Sequence, residues 1–294
     1  MTFPVSKITT YLFVPLGVAF ILAYFGAMAG VTGAFLLLPF QISVLGYMGA
    51  GVSATNFVYN LFAIPGTVSR YAQEGRLNWA LALVISGGSL PGIIIGYWVR
   101  MRYLTDPRFF KPFVGLVLLY LAWIVGRGIL RERLKIKKDL PDRSARICGV
   151  KVGLTRVSYD FDAQTYSFDP RTLSLVSLVV GVVGGAYGIG GGAILAPYCV
   201  SVLRLPVHSV AGASLFGTLV CSIVGVIVYH AGAVFVGSGS RPDYLLGALF
   251  GLGGLLGGYL GARTQKYIPQ RPIKIGLFIV LLFVAVRYLL VAFA

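Results

Sequence analysis

Acidic residues are scarce in this chain: nine Asp and Glu stand against 25 Lys and Arg, a formal charge of +16. None of the nine lies inside an apolar run; Glu74, Asp106 and Asp243 sit at span ends, and the others fall between residues 127 and 171. Cation carriers and many proton pumps keep carboxylates at membrane depth. Their absence speaks against a cation substrate and removes the usual intramembrane proton carrier. Cysteine is equally sparse. Three cysteines cannot build a disulfide framework; Cys199 and Cys221 read as packing residues in apolar segments, and Cys148 lies in a polar one. The two histidines, His208 and His230, have no acidic or cysteine neighbours, so neither a metal nor another cofactor is expected. Ser214 has no aspartate in register with either histidine, which argues against a hydrolytic triad and against an enzyme.

What the chain has in abundance is apolar length. Hydrophobic residues make up 57% and charged residues 12%, with a mean hydropathy of +0.85. No charge interrupts Ile8–Ser69, and further uncharged runs cover Leu77–Val99, Pro112–Gly126, Tyr244–Ala262 and Ile275–Val286. This is the pattern of an all-α polytopic membrane protein. The basic residues crowd into short loops beside those runs, as the positive-inside rule expects, so the charge points to membrane lipid rather than nucleic acid. Residues 1–29 have the outline of a signal peptide, with Lys7, an apolar run and Ala27-Met28-Ala29. Cleavage there would cut through a repeated motif, so the segment is expected to be retained.

That motif is Gly184–Pro197, GGAYGIGGGAILAP, in which six of the first nine residues are glycine. Irregular backbone at membrane depth persists only where protein or a water-filled cavity satisfies it. A glycine break followed by a new helix start turns free N–H groups and a partial positive charge on whatever fills that space, which favours an anion. A weaker copy occurs earlier. With Pro39 placed on Pro197, Gly26, Gly30 and Gly33 fall on Gly184, Gly188 and Gly191. The register runs on to place Asn56 on Ser214 and Asn60 on Thr218. After an insertion, Gly88, Gly92 and Gly96 fall on Gly253, Gly257 and Gly261. The chain is a duplication.

Each motif is the tip of a helical hairpin, either re-entrant or made of two short spans, because Val31–Gly46, Leu173–Gly188 and Ile189–Leu203 fall short of a hydrocarbon core of about 30 Å. Three spans follow in each half: Val52–Ser69, Leu77–Val99 and Pro112–Gly126, then Val207–Tyr229, Tyr244–Ala262 and Ile273–Phe293. A hairpin plus three spans inverts the second half relative to the first. The expected organisation is a first membrane repeat at 1–126, a soluble basic connecting segment at 127–171 and a second repeat at 172–294. With inverted halves and both termini outside, 18 of the 25 Lys and Arg fall on the inner side, leaving the basic loop Arg100–Lys111 outside. Within 127–171, a basic run RGILRERLKIKKD extends the preceding helix over anionic headgroups. Alternating residues from Val150 to Phe168 predict a hairpin turning near Ala163-Gln164. A tether is the expected role.

The candidate site is polar but uncharged. The candidates are Gly30, Thr32, Gly33, Thr55, Asn56 and Asn60 in the first half and Gly188, Gly190, Gly191, Gly192, Ser214 and Thr218 in the second, with Thr55 falling on Ala213 and Gly192 on Ala34. Asn56 and Asn60 share one helix face at i, i+4, as do Ser214 and Thr218. Any one of these residues taken alone reads as an interhelical hydrogen-bonding group. As a duplicated set facing duplicated glycine tips they suit an oxyanion. Arg70, His230 and Arg287 are candidates for gating or for a positive potential, with snorkelling the plainer reading of Arg287. The histidines also leave proton coupling open.

The string GxGGGxxxxP at Gly188–Pro197, its earlier copy, Ala-Ser-Leu-Phe at 213–216 and the glycine run at Gly254–Gly261 resemble the TauE/SafE sulfite exporter family. Thr32 and Ala34 depart from the all-glycine pattern, so the two half-sites differ. The resemblance implies a multi-pass protein of the inner membrane, a secondary transporter exporting sulfite, sulfoacetate or other organosulfonates. An anion channel, or an importer of another small anion, is the alternative.

Overall fold

The computed structural model describes residues 1–29, 32–134, 146–153, 155–162, 164–237, 239–264 and 270–290. The first half contains α1 (Phe13–Ala29), α2 (Ala34–Ser43), α3 (Gly51–Ala63), α4 (Pro65–Gln73), α5 (Trp79–Arg102) and α6 (Pro107–Leu134). A three-stranded antiparallel sheet follows, with β1 (Cys148–Val152), β2 (Val157–Phe161) and β3 (Gln164–Phe168). The second half contains α7 (Pro170–Tyr187), α8 (Gly191–Ser201), α9 (Val207–Phe235), α10 (Tyr244–Thr264) and α11 (Gln270–Leu290). Among the described residues six helices, α5, α6, α7, α9, α10 and α11, are long and apolar enough to cross a membrane, while α1, α2 and α8 are apolar but shorter. The chain is a polytopic helical membrane protein.

Two spans differ from the sequence reading. Val52–Ser69 is not one helix: Pro65 has no N–H to continue the ladder, so α3 ends at Ala63 and α4 begins on the proline. In the second half α7 starts at Pro170 and reaches 18 residues, enough to span. Asp169 caps it, accepting from the Thr172 hydroxyl at 2.6 Å and the Arg171 N–H at 3.0 Å. Those bonds, led by Thr172, hold the Asp169 carboxyl below its ordinary range.

Packing between the halves is reciprocal. Helix α1 lies along α10 and α7 along α5; α3 packs on α10 and α9 on α5; α3 meets α9, and α6 meets α11. Exchanging the halves turns each of these pairs into another member of the set. The aligned glycines make close backbone approaches. A Cβ at Gly92 or Gly96 would strike the Leu178 or Val182 carbonyl of α7, and one at Gly253, Gly257 or Gly261 the Leu16, Phe20 or Tyr24 carbonyl of α1. Small residues at four-residue spacing let the backbones touch. Even the caps repeat: Asn78 Oδ1 accepts from Leu81 N–H at 3.0 Å at the start of α5, and Asp243 Oδ1 from Leu246 N–H at 3.1 Å at the start of α10.

The connections gather in two groups. Ser6 bonds Asp243 through its N–H (3.0 Å) and hydroxyl (2.8 Å), and the Asp243 N–H donates to Thr55 at 2.9 Å. Arg100 reaches Gly49 O at 2.9 Å. The N-terminal segment, the α2–α3 and α9–α10 connections and the end of α5 therefore adjoin one another. The second group is built on the sheet. Ile147 N–H donates to Gly75 O at 3.0 Å, and Tyr159 Oη lies 2.7 Å from Ser209 Oγ.

The turn between β2 and β3 falls where the alternation put it, but the sheet is more than a tether. Val157, Tyr159, Phe161 and Phe168 are buried in one cluster with Leu81 and Ile85 of α5, Cys199 of α8 and Val210 of α9. Burial pushes the Tyr159 phenol up to about 12, against the opposing pull of its Ser209 bond. Helix α6 carries the basic run as far as Leu134; its continuation at 135–145 lies outside the described residues.

Candidate functional site

The second tip takes its shape from two glycines. Gly188 ends α7 with φ +95° and Gly190 follows with φ +75°, a left-handed pair that turns the chain so that α8 begins at Gly191. Their surroundings are tight. A Cβ on Gly188 would strike the Ser53 backbone of α3, and one on Gly190 would come within 3.1 Å of Thr218. Gly191 faces Ser89 of α5, and Gly192 sits against the Ser214 carbonyl. The first tip lies beside α1 and α3: Gly33 is packed on Ala23 and the Tyr59 hydroxyl. Gly30 lies outside the described residues.

Asn56 joins the two tips. Its Nδ2 donates to Ala34 O of α2 at 3.3 Å and to Gly188 O at 3.0 Å. One turn on, Asn60 Nδ2 donates to Ile189 O at 3.4 Å and to Ser222 Oγ of α9 at 3.1 Å. Because carbonyls can only accept, the Asn56 amide orientation is fixed. Both of its N–H groups are spent, so Asn56 holds the tips together and has no donor left for an anion. The Thr218 hydroxyl bonds back to Ser214 O at 3.0 Å. Buried atoms without a partner remain here: Thr32 Oγ1, Ser214 Oγ and the two asparagine Oδ1 atoms. Neither α2 nor α8 is capped by a side chain at its N-terminus. Two helix starts therefore converge on α3 with hydroxyls between them, an arrangement that can hold an anion without a formal charge.

The structure thus brings Gly33, Asn56, Asn60, Gly188, Gly190, Gly191, Gly192, Ser214 and Thr218 together. Thr55 points elsewhere, to Tyr47 (3.3 Å) and the Asp243 N–H. Arg70 is exposed in an ion pair with Glu74 at 2.6 Å. His230 Nδ1 meets the Tyr244 hydroxyl at 3.0 Å in an exposed contact, and Arg287 is exposed on α11. None of these three adjoins a tip. Two residues escaped the sequence reading. Gln41 of α2 is fully buried with no partner for its amide; a lone amide in an apolar helix was the signal. Arg100 is buried to 1% exposure, and its signal was the basic loop on the unfavoured side of the charge count.

A multi-pass helical protein whose two halves pack reciprocally around paired glycine-tipped hairpins is built as a membrane transporter. The family comparison agrees: the model of the sulfite exporter TauE/SafE family matches residues 16–288, and the chain belongs to that family. Its members are membrane transporters of sulfur anions, not enzymes. No curated protein and no solved structure matches the chain significantly.

Proposed function

We propose that the protein is a secondary transporter that exports a sulfur-containing oxyanion such as sulfite, sulfoacetate or another organosulfonate across the inner membrane. The observation that carries this reading is the convergence of both tips on Asn56, with the uncapped starts of α2 and α8 beside the unpartnered Thr32 and Ser214 hydroxyls. The anion sits between the tips, held by backbone N–H groups and these hydroxyls. Inverted repeats place such a site at their interface, and the reciprocal packing and two-sided grouping of connections support an inverted arrangement with both termini outside.

The test is flux into liposomes containing the purified protein, with sulfite, sulfoacetate, taurine, sulfate and chloride offered separately. Saturable flux with counterflow for a sulfur anion, faster under a proton gradient, is expected. Flux that grows linearly with concentration would mean a channel. Chloride transport without sulfur-anion transport would overturn the substrate class.

A further inference from the structure

Gln41, in the last turns of α2, is the one buried amide among the described residues with both ends unused. Its side chain is fully buried, and neither Nε2 nor Oε1 has a partner. The other buried amides each keep one end engaged, Asn56 and Asn60 through Nδ2 and Asn78 through Oδ1. Burying a donor or an acceptor without a partner costs its desolvation, and a carboxamide carries both. An apolar side chain of the same length would fill the space without that cost. The amide therefore has to find its partners in another conformation of the protein, or it is a plain loss.

Its place on the hairpin says which conformation. Gln41 stands seven residues beyond Ala34, whose carbonyl receives Asn56 at the first tip. Seven residues are almost two full turns, so the two share a helix face and lie about 10 Å apart along the axis. At the far side, Tyr47 N–H donates to Gln41 O at 2.9 Å and ties this turn to the α2–α3 connection. That connection adjoins Asp243 and the end of α5, the group that faces outward in the proposed arrangement. The second hairpin supplies the comparison. With Pro39 placed on Pro197, Gln41 falls on Cys199, seven residues past Gly192. Cys199 is buried with Leu195 of α8 and with Tyr159 and Phe161 of the sheet. The duplicated position is thus sealed by apolar packing on one arm and polar without a partner on the other.

We propose that Gln41 lines the outer half of the transport route and meets the anion as it passes between the first tip and the outer surface. This role rests on the transport reading above. Nε2 donates to an oxyanion oxygen, and Oε1 accepts from the hydrating water that the anion carries. In the present conformation the arm is packed shut and both bonds are forgone. They form when the outer half of the route opens, as alternating access requires. Gln41 therefore eases passage and does not add to the hold on the anion at the tips.

Sulfite flux into liposomes, sulfite affinity by calorimetry and melting temperature, all read on the same purified variants, separate this role from packing. Gln41→Met keeps the length of the side chain and removes the amide. Gln41→Asn keeps the amide and loses a methylene. Flux should fall at least about tenfold in Gln41→Met, while its affinity stays at wild type and its melting temperature at or above wild type. Gln41→Asn should melt lower than Gln41→Met and yet transport faster, an order that packing alone reverses. Gln41→Leu takes the place of Gln41→Met should that variant not fold. Flux that falls only in step with melting temperature, or Gln41→Asn slower than Gln41→Met, overturns the role. A loss of affinity as large as the loss of flux overturns it too, since the amide would then belong to the tips. Wild-type flux in Gln41→Met removes this role alone, whereas a wild-type protein that carries no sulfur anion removes the transport reading along with it.

Discussion

Asn56 has two N–H groups and gives one to each hairpin. Those bonds, to Ala34 O and Gly188 O, link the two tips, beside the Tyr187 hydroxyl of α7, which donates to Phe35 O of α2 at 2.7 Å. Replacing Asn56 with Ala strands two carbonyls in a buried setting, at a cost of about 1–3 kcal/mol. The expected outcome is a lower melting temperature together with reduced transport, read on the same purified variant. Asn56→Asp, isosteric but without N–H donors, should do no better. A control is available on α10: a Cβ on Gly258 meets nothing within 4 Å, so Gly258→Ala should leave both readouts at wild type. Gly192→Ala should not, because its Cβ would land on the Ser214 carbonyl. Wild-type melting and flux in Asn56→Ala would remove the bridging role. The i, i+4 polar rows made Asn56 and Asn60 legible in the sequence as a shared face. What they bond to was not legible, because Gly188 O and Ile189 O are presented by the turn at Gly188 and Gly190, and Ala34 O and Ser222 Oγ come from α2 and α9. Arg100 was hidden for a related reason: in one dimension it reads as one more loop charge at a span end.

Elements follow the same division. The alternation from Val150 to Phe168 shows a hairpin, and β2 and β3 pair in register with Tyr159 opposite Tyr166. Where that sheet goes is invisible locally, since Leu81, Ile85 and Val210 belong to runs that read as ordinary spans. The break at Pro65 was legible as a proline but lost in an otherwise continuous apolar run. Because Tyr159 and Phe161 are buried against α5, α8 and α9, replacing residues 146–168 with a Gly/Ser linker should lower the melting temperature while leaving anion affinity at the tips unchanged. An unchanged melting temperature would restore the tether. Docking should also respond to alkali. The Tyr159 phenol is raised from the ordinary value near 10 to about 12 by burial. Folding therefore favours its protonated form; this contribution is complete below pH 10 and is lost as pH rises through about 12. Tyr159→Phe should remove that alkaline step from a pH series of melting curves.

At the scale of the whole molecule, the open question is which way each half faces. Every major contact between helices has a counterpart with the halves exchanged, and the Gly88–Gly96 and Gly253–Gly261 series serve those counterpart contacts. In the proposed arrangement a hairpin followed by three further passes, with α3–α4 as the first of them, would leave the second half inverted. The sheet, joined to Gly75 and Ser209, would then face inward, and Arg102 outward with Gly49 and Asp243. Cys148 on β1 is exposed and provides a native reporter for one side; Arg102→Cys, made in a Cys148→Ser background, provides the other. In right-side-out vesicles an impermeant maleimide should label the introduced cysteine at once and Cys148 only after permeabilisation. Labelling of both from the same side would sink the inverted arrangement. The result also bears on the one basic loop that the charge count leaves outside. Positive charge there works against the orientation signal, so external labelling of Arg102→Cys would show that the 18 Lys and Arg assigned to the other side outweigh it.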